Sequence, residues 1–310
     1  MITRLYEEKD LVFENVREDI KETFLNGRNV VFPTETVYGI GANIFSAKGI
    51  TGVYNLKGRP SDNPLILHLS KEEDVYPYIK TLQPYAKKLM DHFWPGPLTL
   101  VIKKSDVVPS TITGGLDTVG IRVPASQIAR EIIDIAGVPI CAPSANISGR
   151  PSSTLFEHVL EDFQDRVDII INGGKSQIGL ESTVVDVTGD TPIVLRPGMI
   201  TSDMIKSIVG RVAIRQQISQ IEIPTAPGMK YKHYAPTGKL LIVEGPTEKV
   251  VEYINQKVAK LKKAGYRVGV IATEETKVLF KCDFVSIVGK EHKELEIASN
   301  LFAVLREMDK

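Results

Sequence analysis

The chain has 310 residues, 43% of them hydrophobic and 25% charged, and its 38 basic and 38 acidic side chains cancel to a formal net charge of zero. This composition fits a globular protein long enough for two domains and excludes a disordered chain. The cancelled charge gives no global field to hold nucleic acid or an anionic membrane, so any anion site has to be local.

In chain order, the amino terminus "MITRLYEEKDLVFENVREDIKE" is charged throughout and lacks the apolar run of a secretion signal or membrane anchor, which points to a cytoplasmic protein with no membrane contact. From Asn29 to about Arg196, the Val, Ile and Leu-rich runs "NVVFP", "PLILHL", "PLTLVIKK", "TVGIRVP", "VPICAPS", "VDIIING", "STVVDV" and "PIVLRP" read as strands. Helices are predicted from Ala47 to Leu56, Leu82 to Phe93 and Ser126 to Ala136, with Pro and Gly at the joins. The alternation predicts a mixed α/β domain on a large sheet over residues 1–215, with polar segments after strands, where open α/β sheets hold ligands. Residues 216–238 include "PTAPGMKYKHYAPTG", too rich in proline for a helix or central strand, and read as a linker. Over 239–310, a strand "KLLIVEG", a helix to about Ala264, strands "YRVGVIAT" and "CDFVSIVG" and a helix from Glu291 predict a small second α/β domain.

The stretch "NLKGRPSDNPL" sets Lys57 and Arg59 on either side of Gly58, either as a solvated turn or as a cationic clamp for an anion. In "CAPSANISGRPSS", Ser144, Asn146, Ser148, Ser152 and Ser153 sit among small residues, as in a loop that wraps a polar ligand; Ser152 or Ser153 would also serve to cap a following helix. "GLESTVVDV" brings Glu181 and Ser182 to the start of a strand, and "LRPG" leaves Arg196 at a strand end, facing a site or water. "GGKS" has Ile169 where a phosphate-binding loop needs glycine, and "GIGANIF" has Ile44 at the third glycine of a dinucleotide fingerprint, so both motifs fail. The five histidines lack metal spacing, and Cys141 and Cys282 lie too far apart in sequence for a zinc or redox motif, which predicts free thiols and no protein-bound metal.

In this order, "FPTETVYGIGAN", "LKGRPSDNPLILHL", "WPGPLTLVI", "TVGIRVP", "APSANISGRPS", "GLESTVVDV", "LRPG" and "KYKHYAP" resemble the YrdC-domain family in its longer, two-domain form. The resemblance implies a twisted mixed, largely parallel sheet with flanking helices and a small Rossmann-like C-terminal domain. It also implies a nucleotidyltransferase that makes threonylcarbamoyl-AMP and pyrophosphate from L-threonine, bicarbonate or CO2, and ATP. A downstream tRNA-modifying threonylcarbamoyl transferase would consume the product, with weak tRNA contact at most. Lys57 and Arg59 would then be the catalytic cations; Arg59, Asn63, Thr118, Ser144, Asn146, Ser152, Arg196 and Tyr234 would contact ATP; and Thr36, His68, Arg122, Ala142 and Ser182 would hold threonine. Mg2+ would arrive with ATP, and the linker would close over the cavity as a lid. The family's small domain continues after a segment like "LFAVLREMDK", so a domain ending at Lys310 is expected to be truncated or short. Two other readings are an RNA-binding module without chemistry and carbamoyl transfer of the kind found in hydrogenase maturation. The zero net charge and the absence of zinc motifs count against them respectively.

Overall fold

The computed structural model describes residues 2–215 and 236–310. Its strands up to residue 215 are β1 (Arg4–Glu7), β2 (Val30–Phe32), β3 (Gly39–Asn43), β4 (Ile66–His68), β5 (Leu98–Lys103), β6 (Thr118–Arg122), β7 (Ile140–Cys141), β8 (Ile169–Asn172), β9 (Thr183–Asp186), β10 (Ile193–Arg196) and β11 (Ala213–Ile214). Among the described residues they form one 11-stranded sheet in the order β1-β8-β2-β3-β7-β4-β6-β5-β9-β10-β11. The sheet is mixed: β8 runs parallel to β1 and β2, β4 to β6 and β5 to β9, whereas β3 and β7 are antiparallel to their neighbours.

Alternation along the strands builds a core on each face. In β8, Ile169 and Ile171 join one core and Ile170 the other; β2 divides Val30 and Phe32 from Val31 in the same way. Burial on both faces is why these strands read as unbroken apolar runs. The helices are α1 (Glu14–Leu25), α2 (Ala47–Lys57), α3 (Pro84–Phe93), the single turn α4 (Ser110–Thr113), α5 (Gln127–Ala136), α6 (Phe156–Phe163) and α7 (Ser202–Val209). Helices α1 and α5 cover one face through Val16, Ile20 and Phe24 against Ala129, Ile132 and Ile133. The others cover the opposite face through Val53, Met90, Ile112, Phe163 and Ile205.

Beyond residue 235 come α8 (Thr247–Lys263), β12 (Gly269–Thr273), β13 (Phe284–Gly289) and α9 (Glu294–Glu307), with β12 and β13 forming a parallel two-stranded sheet. The expected strand "KLLIVEG" is not one: Leu240, Leu241 and Ile242 are exposed, and β12 pairs only with β13 among the described residues. A β-propensity run becomes a strand only where a neighbour completes the ladder.

The helix expected to be capped at Ser152 or Ser153 starts instead at Phe156, because both hydroxyls are engaged elsewhere. Helix α1 and strands β1 and β3 were not anticipated from the sequence. Most of the linker, Tyr234 included, lies outside the described residues. No described helix is long and apolar enough to cross a membrane, and both cysteines are free thiols.

Candidate active site

The carboxyl ends of β4 and β6 lie side by side, with His68 paired in register to Arg122. A cavity of about 690 Å³, open to solvent, begins there and is lined by Thr36, Lys57, Arg59, His68, Arg122, Ala142, Ser144, Asn146, Glu181, Ser182 and Arg196, among others. Its lining carries four cations, Lys57, Arg59, Arg122 and Arg196, against the single carboxylate of Glu181. A pocket lined by more cations than carboxylates in a chain of zero net charge is local in the sense that an anion site here has to be.

Arg122 is held from three sides. Its Nη1 donates to Thr36 Oγ1 at 2.9 Å, Nη2 to Glu35 Oε1 at 2.5 Å, and Nε to the Gly96 carbonyl at 3.2 Å. Burial pushes the Glu35 carboxyl up, but the Arg122 guanidinium and backbone donors outweigh it and leave the pKa below the ordinary value. The resulting buried ion pair fixes the direction in which Arg122 faces the cavity. His68 is buried too, its Nδ1 lying 3.1 Å from the Ile66 carbonyl. Burial, then repulsion from Arg122, lowers its pKa to about 3. The ring is therefore neutral near pH 7, and Arg122 must supply any charge that meets a carboxylate here.

Lys57 is not the solvated turn residue of the first sequence reading. It is the last residue of α2, which Gly58 terminates in the left-handed region at φ 61°, and its side chain is only 2% exposed. Nζ donates to the Ser144 carbonyl at 2.5 Å, the Asn146 carbonyl at 2.6 Å and Asn146 Oδ1 at 3.3 Å. Burial and the neighbouring Arg59 push its pKa well below that of a free lysine. The ammonium holds the 144–146 loop against the end of α2. Arg59, next along, donates to the carbonyls of Asn63 and Pro64 at 3.3 and 2.9 Å at the cavity wall.

On the far wall, Arg196 donates to the Ser182 carbonyl and, at 3.1 Å, to Ser182 Oγ. Gly198 makes this approach close: a Cβ there would stand 2.6 Å from both the Glu181 carbonyl and the Thr183 nitrogen. Glu181 accepts a hydrogen bond from Ser152, and burial raises its pKa although Arg196 opposes the shift.

The cavity brings together Thr36, Lys57, Arg59, His68, Arg122, Ala142, Ser144, Asn146, Ser182 and Arg196; Asn63, Thr118 and Ser152 lie off its lining. Ser152 reaches it through Glu181, and Thr118 begins the strand that ends at Arg122. The Asn63 amide is buried with no hydrogen-bond partner among the described residues. Glu35 was missed as a site residue, its only sequence signal being its position beside Thr36, and Glu181, noted with Ser182 at the start of a strand, was given no role there. No group of three His, Cys, Asp or Glu among the described residues could hold a metal ion.

A cationic cavity at the strand ends of an open α/β sheet defines a class of proteins that bind small polyanionic ligands. Within that class, the chain belongs to the Sua5/YciO/YrdC family, matching the model described as "Telomere recombination" over residues 22–198. Residues 200–310 match the one described as "Threonylcarbamoyl-AMP synthase, C-terminal domain". The threonylcarbamoyl-AMP synthase of Pyrococcus abyssi is 45% identical over 96% of this chain and 88% of its own length, and that of Bacillus subtilis is 43% identical over 90% and 80%. The crystal structure of P. abyssi Sua5 complexed with L-threonine superposes with a TM-score of 0.91 at 42% identity, covering 100% of this chain and 89% of that one.

Proposed function

We infer that the chain is a nucleotidyltransferase that joins L-threonine, bicarbonate or CO2, and ATP into threonylcarbamoyl-AMP and pyrophosphate. The observation that carries this reading is the cationic cavity, with Arg122 pinned by Glu35 and Thr36 on one wall and Arg59 and Arg196 on the others. The family relatives at 43–45% identity support it.

In the proposed mechanism, Arg122 receives the threonine carboxylate with Thr36, neutral His68, Ala142 and Ser182 around it. The threonine amine attacks CO2 and loses a proton, giving a carbamate. A carbamate oxygen then attacks the α-phosphorus in line, and pyrophosphate leaves with the electron pair of the broken P–O bond. No covalent enzyme intermediate is needed, so positioning and charge stabilisation provide the rate. Arg59 and Arg196 offset charge on the phosphates, while Lys57 shapes the loop of Ser144 and Asn146 rather than meeting a phosphate itself. Asn63, Thr118 and Ser152 complete the proposed nucleotide contacts. Mg2+ enters as part of the ATP substrate, held by phosphates and water.

Residues 1–215 form the proposed catalytic domain and 239–310 the small domain. Delivery of the product to a tRNA-modifying transferase in the cytoplasm completes the proposal.

Pyrophosphate release is the test. Threonine, bicarbonate and ATP together should produce it, and valine should support much less, because a site that hydrogen-bonds a substrate hydroxyl rejects analogues lacking it. Release independent of threonine, or none at all, would overturn this reading.

A further inference from the structure

Helix α9 of the small domain rests on three segments that surround the cavity. Leu301, Phe302 and Leu305 belong to an apolar cluster with Val37, which lines the cavity, and with Leu180, next to Glu181. The α9 backbone also crosses Gly179 so closely that a Cβ there would stand 2.5 Å from Ser299 Cα. The third segment is the polar loop from Asn146 to Ser153, and Arg306 reaches it from the last turn of α9.

Arg306 is 2% exposed, although arginine almost never is so deeply buried without a partner. Its Nε donates to the Pro151 carbonyl at 3.0 Å and its Nη2 to Ser153 Oγ at 3.1 Å, the two residues flanking Ser152. The same guanidinium grips Asp162 of α6, through Nη2 to Oδ2 at 2.6 Å and Nη1 to Oδ1 at 3.3 Å. Asp162 holds the other end of the loop, accepting from the Ile147 amide at 3.3 Å and from Arg150 Nη1 at 2.7 Å. One buried guanidinium therefore secures both ends of the segment that carries Asn146 and Ser152.

We propose that Arg306 is a positioning residue for the nucleotide half of the active site: from the small domain it sets the shape of the Asn146–Ser153 loop and so the placement of ATP. It touches no substrate. Its effect passes through Asn146, which Lys57 grips from the cavity side, and through Ser152, which donates to Glu181. In the proposed assignment the threonine carboxylate rests on Arg122, whose hydrogen bonds go to Thr36, Glu35 and Gly96 and not to this loop, so a loosened loop should weaken nucleotide binding more than threonine binding. Lysine cannot replace the fork, because a single ammonium does not span Pro151, Ser153 and both oxygens of Asp162. The assignment of the two substrates to the two walls rests on the synthase reading above.

The test uses the full chain, with Arg306→Gln, Arg306→Lys and Ser153→Ala assayed below their melting temperatures for KM of each substrate and for equilibrium binding of a non-hydrolysable ATP analogue. Arg306→Gln should raise KM for ATP, and the analogue Kd, about tenfold or more while KM for threonine stays within about twofold. Arg306→Lys should recover little of the loss. Ser153→Ala removes one contact without stranding Asp162 and should shift ATP alone by about twofold to threefold. It decides the matter if Arg306→Gln does not fold. A general loss of stability would not separate the two substrates, so folded variants with unchanged ATP constants, or with both KM values rising in parallel, would overturn the proposal. A wild-type protein without threonine-dependent pyrophosphate release would count against the synthase reading instead, and analogue binding would still test Arg306.

Discussion

Helices α5 and α8 show how differently the two parts of the molecule are held. The ten residues of α5 bury Ala129, Ile132, Ile133, Ile135 and Ala136, whereas the 17 residues of α8 bury only Val258. The sheet unit carries a core on each face. The C-terminal unit has a small cluster of Val258, Val270 and Ala272, and its best-buried large side chains, Phe302, Leu305 and Arg306, face the sheet unit. Charges divide the same way: Arg122 and Glu35 are each 5% exposed, whereas Lys262 and Asp283 of the C-terminal unit stand at 43% and 30%. Packing density and buried charge thus concentrate around the cavity, and the small unit gains rigidity mainly where it borrows that surface.

The sharpest way to break this comparison is to remove Arg122. Arg122→Leu should abolish measurable threonine-dependent turnover and cost about 3–5 kcal/mol in urea unfolding, because it leaves Glu35 buried and unpaired. Near-normal stability would mean that the pair is not as dry as the structure has it. Next, Ile170→Ala in the sheet should cost about 2–5 kcal/mol, while Val258→Ala in α8 should cost about 1–2. Equal losses would erase the distinction between the units.

Acid should act on the sheet unit through His68. The folded protein keeps this ring neutral down to about pH 3, while the unfolded chain takes up a proton below its ordinary value of 6.5. Stability must therefore fall as pH drops through that window, by about 2 kcal/mol from this residue between pH 7 and 5. The Glu35 carboxyl is lowered as well, and its stabilising contribution is lost only at lower pH, as pH falls below the ordinary carboxylate value. Denaturant midpoints of wild type and His68→Gln at the two pH values measure the difference; parallel losses would show that His68 does not contribute. Smallest of all, Asp283→Asn should change stability by less than about 0.5 kcal/mol.

The sequence shows a feature most clearly when its cause is local. Strands buried on both faces announce themselves as Ile and Val runs, and Ser126, the expected first residue of α5, caps a helix that begins one residue later. Helix α1 escaped because Val16, Ile20 and Phe24 hide their spacing among charges. "KLLIVEG" misled because strand propensity says nothing about a partner. Half of the residues lining the cavity were named in advance through family motifs, but the burial of Lys57 was not, since its acceptors lie 87 and 89 residues away. Arg306 was invisible for the same reason: an arginine in a last turn reads as an ordinary companion to a helix C-terminus, and Asp162 lies 144 residues back.

The caged position of Lys57 has a chemical consequence. A site proposed to turn an amine into a carbamate, and a carbamate into an activated anhydride, is hazardous for a nucleophilic amine of its own. Lys57 is the one lysine among the described residues lining the cavity, and burial lowers its pKa. Three oxygens around Nζ and near-complete burial leave no approach for an electrophile. The cavity thereby keeps a lysine's length and hydrogen-bonding reach while denying its own reagents a competing target.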